Sequence, residues 1–364
     1  MSAKYFTPLV ASLPSTVPFV GPEAQERARG QGFRARIGAN ESVFGPSPKA
    51  IEAMQEAASQ VWMYADPENY DLKQALSAHH GVQPENIVVG EGIDGLLGYV
   101  ARMFVEPGVK VVTSLGAYPT FNFHVAGYGG ELLTVPYRDD REDPDALIDL
   151  ARSSGARLIY ISNPDNPMGT WWGSDVMEEM IANVPDGAVL ILDEAYCEFA
   201  PEGTVPSLDV SNPKVLRFRT FSKARGMAGA RIGYAMGEAE LIKGFDKIRN
   251  HFGVNRVAQV GALAALGDEA YLAEVIEKVA KARGRISAIA QANGLYALPS
   301  ASNFVAIDCG KDGDYARAVL AKLIEQDIFV RMPGVAPQDR CIRVSAGLPA
   351  DLDAFEEALP KALA

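Results

Sequence analysis

The chain has 364 residues, 48% of them hydrophobic and 22% charged, a balance that can bury a substantial core and excludes an intrinsically disordered segment. Its length exceeds what one core usually fills, which points to two packed domains, one of them able to draw on both chain ends. A formal net charge of -12 with no Lys/Arg run excludes a surface built to neutralise nucleic-acid phosphates, and three widely spaced cysteines, Cys197, Cys309 and Cys341, exclude a disulfide framework and fit reduced thiols in the cytoplasm.

Residues 1–45 are rich in Pro and Gly and weakly periodic, so they are expected to form an arm that wraps over the small domain or a partner subunit. Pro8, Pro14 and Pro18 interrupt any signal-like apolar stretch there. From 46 to 249, helical segments such as PSPKAIEAMQEAASQVW alternate with the short apolar runs NIVVG, VKVVTS, ARLIYIS, AVLILDEAY and VLRFRTFS. This rhythm predicts an α/β domain, a mostly parallel sheet sandwiched by helices. From 250 to 364 one long helix, EAYLAEVIEKVAKARGRISAIAQANG, precedes the strands SNFVAID and CIRVSAG, which predicts a smaller α+β domain. No Cys/His spacing reads as a metal-ligand set, and no apolar run is long enough to cross a bilayer as a helix.

NIVVGEGIDGLLG places Gly90, Gly92 and Gly95 at the spacing of a dinucleotide fingerprint between a strand and a helix. The acidic residue expected after the next strand is missing, since VKVVTSLGAY supplies Ser114 and Leu115. What remains is a helix start near Asp94 whose free N–H groups suit a phosphate, or a tight turn with no ligand.

Three further segments each leave a strand: SNPDNPMGT, LILDEAYCEF and FRTFSKARGMAGARIGY. Ligands gather outside the carboxyl ends of parallel strands, so the three are expected to converge on one crevice. Asp193 follows the apolar run AVLIL, where a buried carboxylate calls for a cationic partner such as a protonated ring nitrogen. Around Lys223 lie Thr220, Ser222, Arg225 and Arg231, hydroxyls and guanidiniums suited to a phosphate beside an amine suited to a carbonyl. Taken singly, Asn163 and Asn166 could instead only shape a proline-rich turn.

NPDNPMG, LDEAY and TFSKARGMAGARIG, in this order, resemble the signature segments of fold-type I pyridoxal-phosphate aminotransferases, and most closely the histidinol-phosphate aminotransferase family. IGANESVFGPSPKA, YADPENYDLKQAL, GEGIDGLLG, GAYPTF and RCIRVSAG extend the likeness over nearly the whole chain. The resemblance implies that Lys223 carries pyridoxal 5'-phosphate as a Schiff base and shuttles a proton, while Asp193 keeps the pyridine nitrogen protonated. It implies that Tyr196 and Asn166 hydrogen-bond the ring's phenolic oxygen and that Tyr118 stacks on the ring. Thr220, Ser222, Arg231 and the N–H groups of Ile93 and Asp94 would hold the phosphate, and Tyr64 would reach the neighbouring site of a homodimer. Arg343 would grip the substrate carboxylate, with Arg331, Asn40 and Phe19 completing the substrate site.

The expected activity is amino transfer between a small-molecule donor, histidinol phosphate or an aromatic amino acid, and a 2-oxo acid such as 2-oxoglutarate. The chain departs from the family where Pro18-Phe19 replaces a Pro-Tyr pair, which removes a donor to a substrate phosphate at a cost of about 1 to 3 kcal/mol. The Asn-Glu-Asn/Ser-Pro segment reads Asn40, Glu41, Ser42, Val43, and Phe19, Phe44 and Phe121 are candidates for an apolar lining. A decarboxylase or lyase of the same fold stays open, as does a non-catalytic binder, and a nicotinamide oxidoreductase would rest on the glycine spacing alone.

Overall fold

The computed structural model describes residues 5–15 and 20–364, and Phe19 therefore lies outside the described residues. Strands occur in chain order as β1 (Ala35–Arg36), β2 (Ile87–Gly90), β3 (Lys110–Ser114), β4 (Glu131–Val135), β5 (Leu158–Ser162) and β6 (Val189–Asp193). They continue as β7 (Val215–Thr220), β8 (Gly233–Gly237), β9 (Tyr296–Ala297), β10 (Phe304–Asp308), β11 (Ile328–Phe329) and β12 (Cys341–Ser345).

The central sheet has the order β2-β8-β7-β6-β5-β3-β4. Every neighbouring pair is parallel except the two that involve β8. The expected α/β sandwich is thus present. Strands β5 and β6 are buried along their whole length, as near-continuous apolar runs covered on both faces must be. One face packs on Leu96, Leu97 and Val100 of the helix Gly92–Phe104, the other on Leu147, Ile148, Met177 and Met180. Helix starts follow local chemistry: Asp143 accepts a hydrogen bond from the Ala146 N–H and Pro144 occupies the first turn.

In the second part, β10 pairs antiparallel with β9 and β12, and the helices Glu269–Ala292 and Pro349–Leu363 cover the sheet. The chain's beginning joins this part, because β1 pairs parallel with β11 and Ile37 enters the same core as Phe304, Ile342 and Phe355. Within the stretch read as irregular, the structure forms the helices Pro8–Ser12 and Pro22–Arg29, each with proline in its first turn. The helix Arg256–Leu266 packs against Pro48–Ala58 on the large-sheet side, with Ala50, Ala258 and Ala262 in one core. Among the described residues no helix is long and apolar enough to cross a membrane.

Candidate active site

Strands β3, β5, β6 and β7 end at one edge, where Ser162 stands level with Asp193 and Asp193 with Phe218. There the sheet opens into a cavity of about 930 Å³. Its walls come from both parts of the molecule: Asp193, Lys223 and Tyr118 from the large sheet and its loops, Asn40, Arg331 and Arg343 from the small part.

Asp193 is 5% exposed; its Oδ2 accepts from the Tyr160 hydroxyl at 2.8 Å and its Oδ1 from the Ala195 N–H at 3.0 Å. Burial pushes its pKa up to about 6, because desolvation of the anion outweighs its two hydrogen bonds and the charge of Lys223. Lys223 shows the converse effect. Burial, then the positive charge of Arg343, brings its ammonium down to about 8, and Nζ donates to the Asn40 carbonyl at 3.0 Å.

Asn40, with φ of 56°, organises the floor between the two parts. Its Nδ2 donates to the Tyr196 hydroxyl at 3.2 Å, its Oδ1 accepts from the Ser345 hydroxyl at 3.1 Å, and its carbonyl also accepts from Asn303 Nδ2 at 3.0 Å. Asn166 Oδ1 accepts from Arg343 Nη1 at 2.7 Å, and its Nδ2 reaches the Tyr196 hydroxyl at 3.5 Å. Arg343 lies 5.1 Å above the Phe304 ring, and its Nε is buried without a partner. Burial lowers the Arg343 pKa to about 10. A planar guanidinium with an unused donor in a dry site is suited to a carboxylate.

The glycine motif becomes one wall. Gly92 has φ of +77°, a conformation that favours glycine, and a Cβ there would lie 2.6 Å from Arg231 Nη2 and push this guanidinium aside. Arg231 Nη1 donates to the Ala228 carbonyl at 3.0 Å, and Thr220, Ser222, Ile93 and Asp94 complete the wall. Free N–H groups, two hydroxyls and a guanidinium make an anion cradle of phosphate type. Cradle, buried carboxylate, aromatic wall and low-pKa amine together fit the phosphate, protonated ring and carbonyl of the cofactor that the sequence resemblance implies.

Other expectations fall elsewhere. Arg225 does not face the cavity: it is buried, donating to the Ala265 carbonyl at 2.5 Å and to the Glu269 carboxylate at 2.8 Å. Phe121 is fully buried and stacked 4.6 Å from Tyr160, and Phe44 packs beside the small core, so neither lines the cavity. Tyr64 is 78% exposed, rests 4.6 Å from the Phe252 ring, and borders a separate cavity of about 270 Å³. Asn163 is a turn former, since it exchanges hydrogen bonds with the Trp172 backbone. Tyr160, Asn303 and Ser345 were missed. For Tyr160 a signal existed, a polar ring inside the apolar strand LIYIS two residues before the strand end.

The chain matches the family described as Aminotransferase class I and II over residues 36–359. It is 32% identical over 359 residues to the histidinol-phosphate aminotransferase of Moorella thermoacetica, covering 98% of this chain and 92% of that protein. It is 34% identical to histidinol-phosphate aminotransferase 2 of Pseudomonas aeruginosa, over 98% of this chain and 97% of the relative. Among solved structures, the histidinol-phosphate aminotransferase from Sinorhizobium meliloti in complex with pyridoxal-5'-phosphate superposes with a TM-score of 0.96 at 54% identity, covering 99% of this chain and 97% of that one. With the family match spanning both parts of the molecule and the cavity between them, this chain belongs to the class I and II aminotransferases.

Proposed function

We propose that this chain is a pyridoxal-phosphate-dependent aminotransferase that moves an amino group from histidinol phosphate or an aromatic amino acid to a 2-oxo acid such as 2-oxoglutarate. The observation that carries the reading is the meeting, in one cavity, of the low-pKa amine of Lys223 with the buried carboxylate of Asp193. When bound, pyridoxal phosphate supplies an electron sink that lets a proton leave the carbon bearing the amino group.

Lys223 Nζ holds the cofactor and, with a pKa near 8, takes and returns that proton close to neutral pH. Asp193 keeps a ring nitrogen cationic, Asn166 and Tyr196 donate to the ring's phenolic oxygen, and Tyr118 covers the ring face. The phosphate rests on Thr220, Ser222, Arg231 and the N–H groups of Ile93 and Asp94. Arg343 binds a substrate carboxylate, and Arg331 and Asn40 shape the rest of the substrate site.

The protein is a cytoplasmic homodimer in this reading. Trp62, Tyr64, Tyr70 and Phe252 are all at least half exposed, an apolar surface that a second copy would cover while Tyr64 reached its cofactor phosphate. We divide the chain into an arm, 1–45, a cofactor domain, 46–249, and a small domain, 250–364, with the helix Arg256–Leu266 packed back on the large side.

The purified protein mixed with pyridoxal phosphate is expected to show a visible absorption band that borohydride abolishes; its absence sinks the proposal. A donor panel then separates histidinol phosphate from aromatic amino acids, and carbon dioxide release in place of amino transfer would reassign the reaction.

A further inference from the structure

Behind the Asn166 turn two carboxyls are buried together. Glu142 and Asp165 are each 2% exposed. Glu142 Oε1 accepts from the Ser162 N–H and the Ser162 hydroxyl, both at 2.9 Å. Asp165 Oδ1 accepts from the Tyr137 hydroxyl at 2.8 Å and faces the same Ser162 hydroxyl at 3.4 Å, while Oδ2 accepts from the Met168 N–H at 2.8 Å. Among the described residues Glu142 Oε2 is buried without a hydrogen-bond partner, and the Ser114 hydroxyl that acts on this carboxyl is buried and unpaired as well.

The two carboxyls face one Ser162 hydroxyl, Glu142 Oε1 at 2.9 Å and Asp165 Oδ1 at 3.4 Å, and no cation is among the groups that act most strongly on either. Two adjacent anions in a dry pocket repel strongly, whereas one proton between them turns the contact into an attractive, charge-assisted bond. The orphan Oε2 is where that proton belongs, because every other carboxyl oxygen of the pair already accepts from an N–H or O–H group.

We propose that Glu142 stays protonated and donates from Oε2 to Asp165, and that this pair positions the Asn166 turn and, through Asn166, the carboxylate-gripping Arg343. The connection is short. Asp165 precedes Asn166, its N–H donates to the Thr170 carbonyl at 2.8 Å, and the Asn166 N–H reaches the Ser162 hydroxyl at 3.4 Å. Asn166 Oδ1 then receives Arg343 Nη1 at 2.7 Å. The function assigned to the pair rests on the aminotransferase reading of Arg343; the shared proton does not.

The ionisable groups that face the pair are Tyr137 from the loop after β4, Tyr160 on β5, Tyr196 after β6 and Arg343 on β12. Burial raises all three tyrosines, which stay neutral, so Arg343 is the only charge among these four. Burial and the charge of Asp165 both raise the Glu142 carboxyl far above the ordinary carboxylate range. A carboxyl raised in this way favours the ordered turn fully at low pH and loses that effect as pH climbs through its folded value.

The test compares wild type with Glu142→Gln in the holoenzyme, since the amide keeps a donor toward Asp165 and has no proton to lose. In wild type, KM for the carboxylate-bearing substrate is expected to rise about tenfold between about pH 7 and 9.5, whereas in E142Q it changes by less than about twofold beyond the shared titrations of Lys223 and the substrate. The kcat values should stay similar. Coincident KM profiles overturn the positioning role. Independently of turnover, difference infrared spectroscopy of wild type should show a buried protonated-carboxyl band at neutral pH that vanishes at alkaline pH and is missing from E142Q. No such band overturns the shared proton, even if E142Q fails to fold, because the wild-type pH difference alone reads it.

Discussion

At Lys223 and Asp193 the same dry surroundings move two groups in opposite chemical senses, lowering the amine and raising the carboxyl until both lie near neutrality. For Asp193 this has a thermodynamic sign. With a folded value near 6 against an ordinary value of 3.8, its contribution to apo-protein stability is complete below about pH 4 and is lost as pH rises through 6, a difference of about 3 kcal/mol. Denaturant melts of the apo protein at several pH values should therefore show wild type losing stability relative to Asp193→Asn over that window, and saturating cofactor should reverse the trend. Replacing Lys223 with Ala is expected to cut amino transfer by at least about 10²- to 10⁴-fold in a stopped assay, with the borohydride-sensitive band lost as well. Near-normal turnover in that variant would remove the amine from the reaction.

The elements that present these residues were legible to different degrees. Five strands of the central sheet read directly from apolar runs, because strands covered on both faces carry little else. β4 and β8 were missed for separate reasons: β4 is a half-exposed edge strand, and β8, GYAMG, begins and ends in glycine. The site residues sat in three compact loops at strand ends and were readable as clusters. Arg225 was misplaced because its neighbours in sequence face the cavity while its own side chain turns toward the helix Glu269–Ala292. The Asn40 contacts with Ser345 and Asn303 join positions 305 and 263 residues apart, which no local pattern announces. At the helix start, Gly92→Ala should weaken cofactor affinity about tenfold or more, since a methyl group would press on Arg231 at a positive φ. Equilibrium dialysis of pyridoxal phosphate measures this; unchanged affinity would separate the glycine from the cradle.

For the whole molecule, the exposed aromatic face around Tyr64 and Trp62 leads to a test of shared sites. Tyr64→Ala and Lys223→Ala are each expected to be poorly active alone. In mixed dimers one site regains both an intact Lys223 and an intact Tyr64, so random reassembly should restore about a quarter of wild-type activity. Analytical ultracentrifugation of the separate and mixed proteins checks that dimers form, and an activity that merely averages the two parents would refute a site shared between subunits.

The Lys223–Asn40 contact ties the loop after β7 to the segment that follows β1. In the proposed function the amine chemistry is anchored to the large sheet, while the residues assigned to grip and sort substrates, Arg331 and Arg343, hang from the small one. Donor preference is therefore a transplantable property: exchanging residues 328–345 with those of a relative should change which amines are accepted and leave the cofactor's absorption untouched. Selection could retune such a protein through one modest segment and leave its catalytic lysine alone.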